Sequence, residues 1–395
     1  MDTYERELDR LRAQDLERQL IETGQGADPV LTVDGRPYLN LSGTDYLSLS
    51  RHPAVLAAAR AALDREGFQA GGSCLVTGHD PAHGALERRV AAWQRQPAAL
   101  VLPTGYQAAL GTVAALGRDG VIFSDALSHA ALIDGCRLAR ARVVVYRHGD
   151  VGDLARRLRA EPPPPPGRPR LIVTDGVFSM DGDTAPLPEL AQLAATYDAV
   201  LVVDDAHGVG VLGATGAGLT EAAGISPGRL VLVGSFSKAL GLQGGFVAAA
   251  EPVIRFLINR ARPFIFSSGL LPPLAAAARA AVDVAAADGD RRRRVQAHAA
   301  RLRSGLTACG YRVPPTAYPG LPIVPVLTGD ARRALDLAAA LRARGLWVTP
   351  IRPPAVPDGA SRLRLTVQAA HQPDQIEEAL AAFQALAPRF APAGP

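Results

Sequence analysis

No stretch of this chain approaches the roughly 20 consecutive apolar residues that a bilayer-crossing helix needs, so no membrane-spanning helix is expected. Cysteine is scarce. Cys74, Cys136 and Cys309 lie far apart, match no metal-ligand spacing and leave an odd number for pairing. The charge-dense start, Met1 to Gln19, holds no apolar core of the kind a secretory leader carries. A cytoplasmic location with reduced thiols is therefore expected, and no metal site. A large charge excess is also lacking, since 42 basic residues against 38 acidic ones leave a net of +4. The one dense basic cluster, Arg291 to Arg294, reads as a solvated helix face. Nothing in this pattern calls for a nucleic-acid partner. No internal repeat is visible.

What is present is length enough for one large domain and a smaller one, with the apolar share of an ordinary globular protein. Leu8, Leu11, Leu16 and Leu20 fall near one face of a helix with charges elsewhere. Val30 to Leu41 reads as strand and turn, with Asp34-Gly35 at the turn. His52-Pro53 opens an alanine-rich helix. From Ala98 to about Ala250, short apolar runs alternate with helical stretches. The runs are Ala99–Leu102, Val121–Phe123, Val143–Tyr146, Leu171–Thr174, Ala199–Val203, Leu230–Val233 and Phe246–Ala249. Strands apolar on both faces predict an α/β fold with a mostly parallel sheet between helices. Pro162 to Pro166 is expected as a surface loop. Beyond Pro272, helical stretches interleave with strand-like runs Ile323–Leu327, Leu346–Ile351 and Arg362–Val367, the pattern of a smaller C-terminal α+β domain. The expected division is 1–50 as an N-terminal helix and strand segment, 51–285 as the large domain and 286–395 as the small one.

The chemistry gathers just past the predicted strand ends, where open α/β sheets bind ligands. Asp204 follows one run and is followed by His207. Lys238 follows the next, after Ser235 and Ser237. Ser128-His129 follows Val121–Phe123, and Thr104-Gly105-Tyr106 opens a helix after Ala99–Leu102. Taken singly, such an aspartate is a cap or turn residue, such a lysine is solvated, and His129 starts a helix. Together they match the needs of pyridoxal phosphate (PLP). A lysine amine forms its Schiff base, a carboxylate keeps its pyridine nitrogen protonated, and a histidine reaches its phenolic oxygen. The helix start at Gly105 offers N–H groups to a phosphate.

Six segments then carry a family resemblance: Asp45-Tyr46-Leu47-Ser48-Leu49-Ser50, Gly71-Gly72-Ser73, Ser128-His129-Ala130, Asp175 to Asp183, Asp204-Asp205-Ala206-His207-Gly208 and Ser237-Lys238. From about residue 10 to about residue 390 the chain resembles the α-oxoamine synthases, PLP enzymes of fold type I. Phe178 to Asp183 and Asp204 to Gly208 are its most specific parts. Arg352-Pro353-Pro354 with Arg362 to Thr366, and Ala261 to Leu270, resemble the biotin-pathway branch of that family.

The resemblance implies Lys238 as the Schiff-base lysine, Asp204 as the pyridine partner, His207 as the partner of the phenolic oxygen and His129 as the imidazole stacked on the ring. It implies Gly105, Tyr106 and Ser235 at the phosphate, Ser179 near the cofactor, and Ser268 reaching the phosphate of a partner subunit, so a homodimer with shared sites. Arg18, Thr44 and Arg352 match substrate positions. Arg362 and Arg364 are open to three readings: a bond to an acyl-chain carboxylate, a bond to the amino acid's carboxylate, or structural ion pairs. Two residues depart from the pattern: Thr44 replaces the usual asparagine, and Cys74 replaces an arginine frequent in the biotin branch. The implied reaction joins an amino acid to an acyl thioester with loss of CO₂. In that branch L-alanine and a pimeloyl thioester (on CoA or a carrier protein) give 8-amino-7-oxononanoate. A branch using glycine or serine with another acyl-CoA, a catalytically silent partner subunit and an aminotransferase are the competing readings. Lys238 argues against the second, and Phe178 to Asp183 against the third.

Overall fold

The structure is a computed structural model and describes residues 1–26 and 28–391. The chain divides into two compact units. The larger comprises Asp45–Ser179 and Asp183–Arg292, and the other takes in Met1–Thr44, Met180–Gly182 and the chain from Arg293 on.

The larger unit is built on seven strands: β1 (Ala98–Leu102), β2 (Val121–Asp125), β3 (Arg142–Tyr146), β4 (Arg170–Asp175), β5 (Val200–Asp204), β6 (Leu230–Ser235) and β7 (Gly245–Ala249). They lie in the order β1-β7-β6-β5-β4-β2-β3. Six of the runs predicted from the sequence are strands extended by a residue or two, and Ala199–Val203 is shifted by one residue to Val200–Asp204. From β6 to β3 all neighbours are parallel, while β7 is antiparallel to both β1 and β6. Strands β2, β4, β6 and β7 are buried along their whole length, as runs apolar on both faces demand. The edge strand β3 differs, leaving Val143 and Val145 exposed. The core beside the sheet includes Leu100, Val113, Ile122, Val173, Val202, Val231 and Val247. Parallel register brings the ends of β2, β4 and β5 to one edge, so Asp125, Asp175 and Asp204 arrive there as final residues. Asp175 and Asp204 are direct register partners.

The helix Gly105–Leu116 starts at that edge, capped by the Thr104 hydroxyl, which accepts the Gln107 N–H at 3.1 Å. The helix Ala130–Leu138 starts there too, capped by His129, whose Nδ1 accepts the Ala131 N–H at 3.2 Å. Its small residues permit close packing, and Gly135 leaves no room for a Cβ against Val113.

The other unit holds two small sheets. Gly24–Gln25, Val30–Val33, Arg36–Asn40 and Leu346–Trp347 form one, and Ile323–Gly329, Ser361–Thr366 and Thr349–Ile351 form the other. The expected strand Leu346–Ile351 is therefore two short strands in different sheets. The expected turn at Asp34-Gly35 is present, with both residues at positive φ.

Two sequence readings are corrected. The N-terminal helix spans Asp2–Ala13 and buries none of its residues, so Leu16 and Leu20 lie beyond it. Asp15 at φ 58 breaks the helical path before the pattern of leucines is complete. Nor is Arg291 to Arg294 simply a solvated face. Arg292 is buried and donates to the carbonyls of Ala285 and Ala214. Arg291 pairs with Asp288 and donates to the Leu47 carbonyl at 3.0 Å.

Candidate active site

Asp204 sits at the end of β5, buried, with one carboxylate oxygen accepting the Ala206 N–H at 3.1 Å. Burial pushes its pKa above the ordinary carboxylate range, while the His129 imidazole, the Ala206 N–H and the Lys238 amine pull it down. These pulls place Lys238 and His129 within electrostatic reach of Asp204. Lys238 is half-buried in the turn after β6. His207, three residues past Asp204, is buried, and its Nδ1 lies 2.8 Å from the Tyr46 hydroxyl. Tyr46 is fully buried, so the imidazole is held from behind.

Asp175 completes a carboxylate pair. It is buried at the end of β4 and accepts the His129 N–H at 2.8 Å. Burial first, and the neighbouring Asp204 second, raise its pKa well above the ordinary value. Two carboxylates side by side in a dry site cannot both ionise cheaply. Asp175 is raised the further of the two and takes the proton, while the Lys238 amine favours the charge on Asp204. Asp205 is a different kind of group. It is buried beneath the Gly176, Gly208 and Gly218 backbone, and a Cβ on any of these would collide with its carboxylate. It accepts the Leu219 N–H at 2.6 Å, and burial pushes its pKa up to about 8. It therefore anchors the loop after β5.

The start of helix Gly105–Leu116 makes a tight cradle. A Cβ on Gly105 would lie 2.8 Å from the Ser235 Cβ, and one on Gly245 would lie 2.5 Å from the Gly105 backbone. Only glycine lets these three segments meet. The Ser235 and Ser237 hydroxyls are 2.7 Å apart, and Ser235 Oγ also takes the Ser237 N–H. First-turn N–H groups have no partner within their own helix and favour an anion. Tyr106 is exposed, bonds Asp134 through its hydroxyl and meets the His129 ring edge-on at 6.4 Å. His129 is exposed, whereas Ser179 is half-buried in the loop after β4.

These features fit PLP. An anion cradle of N–H groups and hydroxyls suits its phosphate. A buried carboxylate suits a pyridinium, and a half-buried lysine lies within reach of the same carboxylate.

A model of the aminotransferase class I and II family matches residues 36–383. The chain belongs to that family. The 8-amino-7-oxononanoate synthase of Anaeromyxobacter dehalogenans strain 2CP-1 is 48% identical over 98% of this chain and 96% of its own. That of Bordetella petrii is 46% identical over 95% of each. Among solved structures, serine palmitoyltransferase from S. paucimobilis with a bound PLP-myriocin aldimine superposes with TM-score 0.91 at 33% identity, covering 98% of this chain and 97% of that one. The 8-amino-7-oxononanoate synthase of Francisella tularensis gives 0.74 at 27%, covering 88% and 97%. The resemblance to α-oxoamine synthases, most like the biotin branch, thus holds for nearly the whole family member, and its fold is that of type I PLP transferases.

The substrate residues expected from the sequence lie elsewhere in the chain. Arg18 donates to the carbonyls of Pro353 and Arg352 at 2.7 and 3.2 Å. Arg352 is buried, donates to the carbonyls of Asp15 and Glu17, and keeps its Nε without a partner. Arg362 is buried and pairs with Asp181, the structural reading of that residue; Arg364 is half-buried. Thr44 is half-buried. Ser268 is exposed and bridges to Ser73. Sequence reasoning gave no role to Tyr46, Asp175, Asp205 or His148. The first three stand inside quoted segments, so the signal was present; His148 has none.

Among the described residues no helix is long and apolar enough to cross a membrane, and no cluster of three or more metal-ligating side chains occurs.

Proposed function

We propose that this chain is a PLP-dependent acyltransferase that joins L-alanine to a pimeloyl thioester, giving 8-amino-7-oxononanoate, CO₂ and the free thiol. The buried Asp204, with Lys238 and His129 in electrostatic reach, carries the PLP assignment. The product is that in the names of the 44–48% identical relatives, and alanine and the pimeloyl thioester are what the resemblance to the biotin branch implies. PLP, when bound, supplies an electron sink for the carbanion formed at the amino acid's α-carbon.

The chain's own residues do the rest. Lys238 would hold the cofactor, and its amine would take the amino acid's α-proton. Asp204 would serve the pyridine nitrogen, with Asp175 keeping the neighbouring proton. His207, braced by Tyr46, would serve the phenolic oxygen. His129 would stack on the ring and polarise the acyl carbonyl. Gly105, Tyr106 and Ser235 would hold the phosphate end, and Ser179 would stand near the cofactor. Arg18, Thr44 and Arg352 are assigned to the substrates. The working form is a homodimer with Ser268 reaching the partner's phosphate. Leu75, Val76 and Phe266, exposed beside the Ser73–Ser268 bridge, would be its apolar contact surface.

A serine-plus-long-acyl-chain enzyme is the second reading, favoured by the 0.91 superposition on serine palmitoyltransferase. The test is a matrix of alanine, glycine and serine against pimeloyl-, acetyl- and palmitoyl-CoA, following thiol release and product mass. Turnover with alanine and pimeloyl-CoA supports the proposal. Preference for serine with palmitoyl-CoA replaces it with the second reading, and no turnover with any pair defeats both.

A further inference from the structure

A second cluster of titratable groups lies at the same sheet edge. His148 follows β3, and its two ring nitrogens face two carboxylates. Nδ1 is 2.9 Å from Asp125 Oδ1, at the end of β2. Nε2 is 2.7 Å from Asp183 Oδ2, at the end of the loop after β4. The Phe178 ring packs edge-on against the imidazole, with centroids 4.4 Å apart and planes at 85°. The imidazole is 28% exposed, and Asp125 only 1%. A neutral imidazole donates from one nitrogen only, so bonds to two ionised carboxylates require the doubly protonated ring. Its pKa agrees. Burial works against the charge, but the two carboxylates prevail and push it up to about 10.

What His148 joins is the reason for interest. Asp125 also accepts the N–H groups of Leu127 at 2.8 Å and Gly149 at 2.9 Å. It thereby fixes the turn that ends two residues later at His129. Asp183 closes the Phe178–Asp183 loop, its carbonyl taking the Phe178 N–H at 3.0 Å, and that loop carries Ser179. One cation thus ties the turn bearing His129 to the loop bearing Ser179.

We propose that His148 is a positioning residue, a charged bridge between Asp125 and Asp183 that sets His129 and Ser179 in register for the reaction. The assignment of a reaction rests on the function proposed above, whereas the bridge itself does not. Neither Asp125 nor Asp183 can be bonded in the same way by a neutral side chain of similar size. A glutamine at 148 keeps one donor and loses the other.

The test uses the full-length protein and His148→Gln, Asp183→Asn and His148→Arg. In cofactor-free protein labelled with ¹⁵N-histidine, His148 is expected to show two protonated nitrogens at pH 7.5, and the His129 ring signals to move in His148→Gln and Asp183→Asn. With PLP and substrates, His148→Gln is expected to lower kcat about tenfold or more, because a displaced catalytic imidazole costs rate steeply. KM should stay within about twofold, and the visible circular dichroism of the bound cofactor should weaken. His148→Arg, which keeps the charge and can reach both carboxylates, should recover part of kcat. The proposal is overturned if the His129 signals stay in place while only the melting temperature falls, or if the His148 ring is neutral at pH 7.5. Should His148→Gln fail to fold, Asp183→Asn, which keeps the Asp125 bond, gives the same reading. The magnetic-resonance arm contains no PLP, so it decides the bridge whatever becomes of the cofactor assignment.

Discussion

At the scale of single residues, the site is a division of charge between two adjacent acids. Asp204 has the Lys238 amine in reach to favour its charge, while Asp175, facing the same buried space and raised further, takes the proton. The expected outcome for Asp204→Asn follows. An amide cannot keep a pyridine nitrogen protonated, and a hydrogen bond to a charged group contributes about 1.5–3 kcal/mol. Exchange of the alanine α-proton into deuterated solvent, followed by proton magnetic resonance, should slow by roughly a hundredfold, since about 1.4 kcal/mol is a factor of ten. Exchange at the unaltered rate would remove Asp204 from this role. Lys238, Asp204 and His207 were legible in the sequence because each stands next to its strand and the chemistry names the residue type. Asp175 and His148 were not. Their importance comes from neighbours 29 and 35 positions away, Asp204 and Asp183, and no local pattern displays a pairing made across strands.

At the scale of elements, the interior strands of the large sheet could be read directly because a strand buried on both faces is written as an unbroken apolar run, and the exposed edge strand β3 carries a similar run of valines. The same rule misled at Leu346–Ile351. The run is apolar but for Thr349, and that single polar residue, where the second strand begins, was the one mark of the change of sheet. Arg292 was misread for a related reason. Charge density predicts a wet helix face, but a guanidinium can be buried where backbone carbonyls receive it, as those of Ala285 and Ala214 do here. The helix Gly105–Leu116 was expected to open at a glycine, and its structure adds the cap. Thr104 Oγ1 closes the first turn that the cradle depends on. Thr104→Ala should cost about 1 kcal/mol of stability, the ordinary value for a lost cap, read in urea. It should also weaken PLP binding severalfold in a fluorescence titration, because a frayed first turn no longer aims its N–H groups. Full cofactor affinity at the reduced stability would show that Ser235 and Ser237 hold the phosphate end without the helix.

At the scale of the whole molecule, the edge that gathers Asp125, Asp175, Asp204 and Asp205 sets how stability depends on pH. Asp205 and His148 both titrate higher in the folded protein than the ordinary values of 3.8 and 6.5, at about 8 and about 10. A group whose pKa is raised by folding binds its proton more tightly in the native state. Its contribution is complete below the unfolded pKa and is lost as pH rises through the folded one. For Asp205 the loss runs from pH 3.8 to about 8, and for His148 from 6.5 to about 10. Across the overlap, near neutral pH and just above it, the two slopes have the same sign. Unfolding free energy measured in urea should therefore fall steadily from pH 6.5 toward 10. The His148→Gln protein should start lower and fall less, converging on the parent protein at the alkaline end, because it has no bridge left to discharge. Parallel curves for the two proteins would mean that His148 carries no extra proton in the native state.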